Sequence, residues 1–299
     1  MNIINDRIYG PIKIDDVIYE LINTPSLKRL SKIHQSGAAF LVFPHANTTR
    51  LEHSIGVSHI IQLLEGSIEE QVAGLLHDIS HSCFSHVIDY LYTNESESTH
   101  EDAKQEYFFQ NDIINILNKY SLNAEKIFHE DNWPRLESPL PNLCADRIDY
   151  TLRDYVIWAK RPVSDISKFL NDMIFIDGIV ALKNKESAIW FSDFFRELNE
   201  LYFRHPKNIS ASKYLVDILK EALDLNIISK NDLGKDDSHV LNLIKNSPLS
   251  KMLEEDSILK AAASSSNSTL LNIKTREVNP FIYSKNQLTR LSTYNSLAK

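Results

Sequence analysis

A three-to-four spacing of apolar residues runs through most of this 299-residue chain and leaves little room for anything but a helical fold. Residues 16–35 place Val17, Ile18, Leu21 and Ile22, then Leu27, Leu30 and Ile33, on that period, with Pro25 interrupting it. The spacing predicts further helices over 49–65, 67–77, 82–92, 100–119, 141–160, 186–204, 209–225 and 239–246. The helix at 67 opens on Ser67 and Glu70, a capping-box pattern. One stretch leaves the helical period: MIFIDGIVALK at 173–183, two apolar runs around Asp177-Gly178, reads as a tight β-hairpin. The fold class is therefore all-α with a minor β-hairpin. NESESTHEDAK, at 94–104, reads as a polar loop running into a helix. AAASSSNST, at 261–269, reads as a low-complexity connection. The expected organisation is one helical domain over 1–260, then a linker and a small C-terminal appendage over 261–299 that packs on it.

Several function classes fall away early. Glycine occurs only 7 times, and neither GxGxxG nor GxxxxGK[ST] is present, so phosphate chemistry must rest on side chains and metal. There is no run of 18 apolar residues to span a bilayer. The opening MNIINDRIYG lacks the pattern of a secretory signal, and two cysteines, Cys83 and Cys144, cannot build a disulfide framework. A reducing cytoplasm is the expected setting. A net charge of −8 argues against a protein built to coat nucleic acid, and nothing in the sequence calls for a nucleic-acid or membrane partner.

Histidine points to a site. Of 11 in all, eight lie between His34 and His100, and HDISHSCFSH holds His77, His81 and His86 with Asp78. His77-Asp78 ends the apolar helix QVAGLLHD, where a backbone turn lets adjacent side chains converge. His53 lies on the preceding helix, and a short connection makes the two helices antiparallel neighbours. Asp146, in LCADRIDYTLRDY, is the best candidate for a fourth ligand; Asp149, three residues on, reads as a capping or salt-bridging residue. Two imidazoles and two carboxylates suit a divalent ion such as Mn, Fe, Zn, Ni or Co. An octahedral ion would keep two positions open for water or a phosphate oxygen.

Three stretches carry a resemblance: RLSKIHQSGAAFLVFPHANTTRLEHSIGVSHI, LLHDISHSCFSH and ADRIDYTLRDY. In that order they resemble the HD-domain deoxynucleoside triphosphate (dNTP) triphosphohydrolases, the group that contains the vertebrate SAM-and-HD-domain enzyme. DRIYGPIKI is similar to that family's first strand region, FRELNELYFRHPK to a later helix, and KTREVNPFIYSKNQLTRLS to its C-terminal segment. The resemblance implies an HD-domain helical bundle with His53, His77, Asp78 and Asp146 as metal ligands. It also implies Arg50 and Arg147 as phosphate contacts, and Gln35, Tyr150 and Asp154 as sugar contacts. Arg196, with Tyr202, Arg204 and His205 beyond it, falls where the family holds phosphate and sugar. His81, His86 and His100 match active-site histidines, and Asp89 a carboxylate partnered with one of them. His34, His45, His59, His129 and His239 carry no assigned role.

The implied reaction is hydrolysis of a dNTP to deoxynucleoside and intact triphosphate in a homo-oligomer, with Mg as a second ion carried by the nucleotide. A histidine, His86 or His100, would protonate the departing 5′-oxygen. The alternative is an HD nucleotidase or phosphodiesterase acting on monophosphates, cyclic nucleotides or guanosine polyphosphates. Less favoured is a catalytically silent nucleotide-binding module. Asn23, Lys28 and Ser31 stand where vertebrate-type members read an activating guanine, so that regulation is expected to be absent. Ser36 replaces an apolar neighbour of the sugar.

Overall fold

The structure is a computed structural model that describes residues 2–91, 99–254, 257–258, 260 and 276–293, with main chain alone for 99–103. It begins with a hairpin, β1 (Asn2–Asp6) and β2 (Gly10–Ile14), paired antiparallel from Asn2↔Ile14 to Asp6↔Gly10. Asp6 closes the turn by accepting from the Ile8 and Tyr9 amides at 2.9 and 3.1 Å, a side chain standing in for a backbone turn partner. The period over 16–35 resolves into α1 (Asp16–Ile22) and α2 (Pro25–Arg29), the break falling where Thr24 caps Leu27 and Pro25 starts the new helix.

α3 (Arg50–Leu63) opens on a full capping box between Thr49 and Glu52. α4 (Ile68–Leu76) has only half of the expected box. Ser67 accepts from the Glu70 amide, but the Glu70 carboxylate turns to Arg135, 2.8 Å away. α5 (Thr99–Phe108), α6 (Asn111–Lys119) and α7 (Ala124–Phe128) lead to α8 (Ala145–Arg153), and α3 packs along both α4 and α8. α9 (Ser164–Asp172) and α10 (Lys185–Glu197) flank the hairpin of β3 (Met173–Ile176) and β4 (Ile179–Leu182). Its turn holds Asp177 and Gly178 at φ 51° and 77°, a conformation that glycine adopts without strain. α11 (Pro206–Asp224), α12 (Lys230–Leu233) and α13 (Asp237–Lys245) complete the helices.

The fold is mainly α, with more sheet than the periodicity conveys. β5 (Phe281–Ser284) and β6 (Gln287–Arg290) extend the expected hairpin into a four-stranded sheet ordered β3-β4-β5-β6, in which β4 and β5 run parallel. Residues 281–290 are thereby tied to the helical body by strand pairing. Residues 261–275, and with them the predicted linker, lie outside the described residues. The helix predicted over 82–92 is instead a 3-10 turn at Ser85–Leu91, because Phe84 and Ser85 take φ of 55° and 50° and cannot continue an α-helix. The helix predicted over 141–160 is α8 followed by a π turn at Asp154–Trp158, and a second π turn at Leu198–Phe203 ends the 186–204 prediction.

Among the described residues two large apolar clusters, with a small third at Ala39, Ala46 and Trp158, hold these elements. Leu21, Val57, Leu75, Ile148, Leu152 and Phe195 belong to the first, and Phe84, Val87, Leu215, Val240 and Ile244 to the second. Each such buried side chain contributes about 1.5–3 kcal/mol. The segment after α4 thus starts in one cluster and anchors in the other, which positions His77, Asp78 and His81 between them.

Candidate metal centre

Three packed elements place the polar cluster. His53 projects from the first turn of α3, His77 caps α4 with Asp78 next to it, and Asp146 stands in the first turn of α8. His53 Nε2 lies 2.9 Å from Asp146 Oδ1 and 3.7 Å from Asp78 Oδ2. His77 Nε2 lies 3.6 Å from Asp146 Oδ1 and 3.5 Å from Asp78 Oδ1. Ligand atoms of His53, His77 and Asp146 lie within 4.8 Å of one another, the spacing of groups that hold one ion. Asp78 adjoins this trio, but its oxygens also serve Arg50 Nη1 at 2.6 Å and His81 Nε2 at 3.2 Å.

The chemistry of the donors fits a divalent cation. His77 Nδ1 faces the Gly74 carbonyl at 2.7 Å, and a carbonyl only accepts, so Nδ1 carries the proton. The other ring nitrogen, Nε2, is buried and makes no hydrogen bond. Burial opposes a charge on this ring, yet the Asp78 and Asp146 carboxylates outweigh it and push the His77 pKa up to about 9. Burial likewise disfavours charge on Asp146, but the hydrogen bond to His53 and the charge of the His77 ring beside it hold it below the usual carboxylate range. A site that attracts positive charge this strongly, with imidazole and carboxylate donors, suits a first-row divalent ion. A second grouping, Glu137, Cys144 and Asp146, shares one carboxylate with the first. There the Arg147 guanidinium already reaches Cys144 Sγ at 3.2 Å and Glu137 Oε1 at 3.4 Å.

The other residues singled out by sequence divide into two groups. Close to the trio, Arg50 is buried, with Nη1 on Asp78 and Nε on Ser85 Oγ at 3.0 Å. His81 packs edge-on against His86, ring centres 5.1 Å apart; its burial, with Arg50 beside it, holds its pKa well below the usual imidazole value. His86 Nδ1 meets Asp89 Oδ2 at 3.2 Å, and its side chain is 41% exposed. Asp154 begins the π turn after α8, and burial pushes its carboxyl up to about 8. Tyr150 is half-buried near Phe195 and Phe203, and burial raises its phenol.

In the second group, Arg147 and Arg196 are turned elsewhere. Arg147 Nη1 bonds to the Ser138 and Asn142 carbonyls at 3.1 and 2.6 Å, clamping the loop before α8. Arg196 is exposed and pairs with Asp193 at 2.7 Å. The main-chain N–H of Gln35 donates to the Thr48 carbonyl at 2.9 Å. His100 lies in α5, and its side chain is outside the described residues.

Three supports surround the centre; sequence reasoning gave Asp149 as a capping or salt-bridging residue, which it is, and did not reach Ser85 or Asp237. Asp149 accepts from His53 Nδ1 at 2.7 Å and from Arg153 Nε at 2.7 Å; its place three residues after Asp146, on one helix face, was the available signal. Ser85 receives Arg50 and donates to the His34 carbonyl at 2.7 Å. Asp237 accepts from the amides of His34 and Phe84 at 2.9 and 2.6 Å and from His34 Nδ1 at 2.7 Å, joining two loops of the site. No local pattern announces a partner 203 residues away.

The chain is similar to several known proteins. A family model described as HD domain matches residues 50–154. The uncharacterized protein YdhJ of Bacillus subtilis is 42% identical over 252 residues, 84% of this chain and 77% of YdhJ. The metal-dependent phosphohydrolase cns2 of Cordyceps militaris is 38% identical over 173 residues, 57% of this chain and 50% of that protein. The human deoxynucleoside triphosphate triphosphohydrolase SAMHD1 is 32% identical over 166 residues, 47% of this chain and 26% of the human protein. The match thus spans half of cns2 and about a quarter of SAMHD1.

Proposed function

The chain belongs to the HD-domain family of metal-dependent phosphohydrolases, and we propose that it hydrolyses deoxynucleoside triphosphates to deoxynucleoside and intact triphosphate. The observation that carries this reading is the convergence of His53 Nε2, His77 Nε2 and Asp146 Oδ1, with the buried Arg50 beside them. In this proposal His53, His77, Asp78 and Asp146 hold one divalent ion. That ion supplies Lewis acidity toward a phosphoryl oxygen and lowers the pKa of a nearby water.

The rest falls to side chains. Arg50 spends two of its five N–H donors on Asp78 and Ser85, which leaves three for phosphate oxygens. Attack of water on the α-phosphorus breaks the bond to the 5′-oxygen, and that oxygen must receive a proton. His86 is the donor in this reading, since Asp89 holds its Nδ1 and its side chain reaches solvent. Asp154, kept neutral by burial, can donate a hydrogen bond to a sugar hydroxyl, and Tyr150, four residues earlier, forms the adjoining wall. The relative named a dNTP triphosphohydrolase supports this substrate class.

The test is chromatography of products after protein loaded with Mn, Fe, Co, Zn or Ni meets each dNTP, GTP, monophosphates and cyclic nucleotides. Deoxynucleoside with intact triphosphate, absent in His77→Ala, is the expected result. Orthophosphate, or turnover confined to monophosphates or cyclic nucleotides, assigns the chain to a different HD chemistry.

A further inference from the structure

Behind His53 lies a buried polar network that the proposed reaction does not use. Asp149 is wholly buried and accepts three hydrogen bonds, from His53 Nδ1 to Oδ2, from Arg153 Nε to Oδ2, and from the Tyr9 hydroxyl to Oδ1, each 2.7 Å. Arg153, also wholly buried, passes its Nη2 to Asp6 Oδ2 at 2.8 Å. Two of these residues, Asp6 and Tyr9, belong to the turn of the β1–β2 hairpin, far in sequence from α8.

We propose that Asp149 is the positioning residue of the metal centre, and that the turn holding Asp6 and Tyr9 acts on His53 through it; this rests on the metal-centre reading above. An ionised carboxylate only accepts, so the hydrogen between Asp149 and His53 sits on Nδ1. Nε2 is left as the ring atom that faces Asp146. A carboxylate so placed fixes the tautomer and plane of a ligating imidazole and raises its basicity.

Charge works in the same direction. Asp6 and Asp149 flank a single guanidinium, so the network keeps one net negative charge behind His53. That charge favours a cation at the far side of the ring. The packing is built around the carboxylate as well. A Cβ on Gly56 of α3 would stand 1.8 Å from Asp149 Oδ1 and 2.4 Å from Arg153 Nη2, so only glycine lets α3 pass. Asp6 meanwhile sets the turn that presents Tyr9, since its Oδ1 takes the Tyr9 amide.

The test combines Mn(II) titration of the full-length, metal-stripped protein, followed by electron paramagnetic resonance, with proton NMR of the metal-free chain. Asp149→Asn keeps one acceptor but loses the charge, and should weaken Mn(II) binding about 10- to 100-fold. Tyr9→Phe and Asp6→Asn should weaken it by smaller factors while His77 and Asp146 remain in place. The His53 Nδ1 proton should give a slowly exchanging downfield resonance in the wild type that is lost in Asp149→Ala. Ile282→Ala, in the distant sheet, controls for lowered stability and should leave Mn(II) affinity unchanged. Should the Asp149 variants fail to fold, Tyr9→Phe and Asp6→Asn decide the matter. Wild-type affinity in both of these, or a His53 resonance insensitive to Asp149, overturns the proposal. A wild type that binds no Mn(II), or binds it equally in His77→Ala, overturns the metal-centre reading instead, and the resonance still reports on Asp149.

Discussion

The two imidazoles at the centre are held in contrasting ways. His53 sits in the seam between α3 and α8, fully buried, its Nδ1 on a carboxylate that is itself pinned by an arginine and a tyrosine. His77 ends a helix, with its Nδ1 on the carbonyl one turn back, and leads into an irregular segment with two positive-φ residues. The seam is fixed by side chains and charge; the turn is fixed by backbone. Arg50, His86 and Asp89 gather around the turn, whereas Asp149 and Arg153, behind His53 in the seam, are wholly buried. One side of the centre therefore holds its ligand still, and the other presents chemistry.

Removing a ligand on the turn side should break this contrast most completely. His77→Ala is expected to reduce turnover to background and to abolish the thermal stabilisation by metal. At a hundred times Kd that stabilisation is worth about 2.7 kcal/mol, read as the shift in Tm with and without Mn(II). Next in its effect on turnover is Arg50→Ala, which strands the buried Asp78 charge. A loss of about 3–5 kcal/mol in denaturant unfolding is expected, together with a raised KM. Arg50→Lys should restore only part of it, because the fork between Asp78 and Ser85 needs a guanidinium.

Two predictions concern pH. His77 holds its proton in the folded, metal-free chain up to about 9, against an ordinary value of 6.5. The associated stability is complete below 6.5 and fades as pH rises through 9, so Tm in chelator should fall over that window. Mn(II) affinity should rise over the same window, since ligation needs the neutral ring. Asp154, whose carboxyl is raised from 3.8 to about 8 by burial, also costs stability as pH climbs between those values. Asp154→Asn should therefore stabilise the fold by a margin that grows from pH 4 to pH 8 and then levels off, seen in Tm measured across that range. The smallest effect belongs to Arg196→Ala. Its exposed pair with Asp193 is worth under about 1 kcal/mol, and an unchanged KM would remove it from the substrate contacts that the resemblance implies.

What the sequence conveys follows the same division. The apolar period of QVAGLLHD, ended by His77-Asp78, and the capped start at Thr49 are local signals, so α3 and α4 and the pairing of His53 with His77 are legible from residues alone. Pro25 and the Asp177-Gly178 turn are legible for the same reason. The β4–β5 pairing joins residues about a hundred apart, and no periodicity specifies such a partner. The 3-10 turn at Ser85–Leu91 reads as helix because its apolar spacing is helical, while the backbone is set by Asp237 from α13. Arg147 and Arg50 look alike as basic residues near ligands, yet one faces loop carbonyls and the other the centre. Asp149 was visible as a polar residue on the right helix face, but its partners Tyr9 and Asp6 come from the opposite end of the sequence.

The most direct test of the account is anomalous diffraction from crystals of the protein soaked in Mn(II), recorded on both sides of the manganese edge. The expected result is one strong peak bounded by His53 Nε2, His77 Nε2, Asp78 and Asp146, lost in His77→Ala crystals. A peak elsewhere, or one ligated by Glu137 and Cys144 in place of the two histidines, would contradict it.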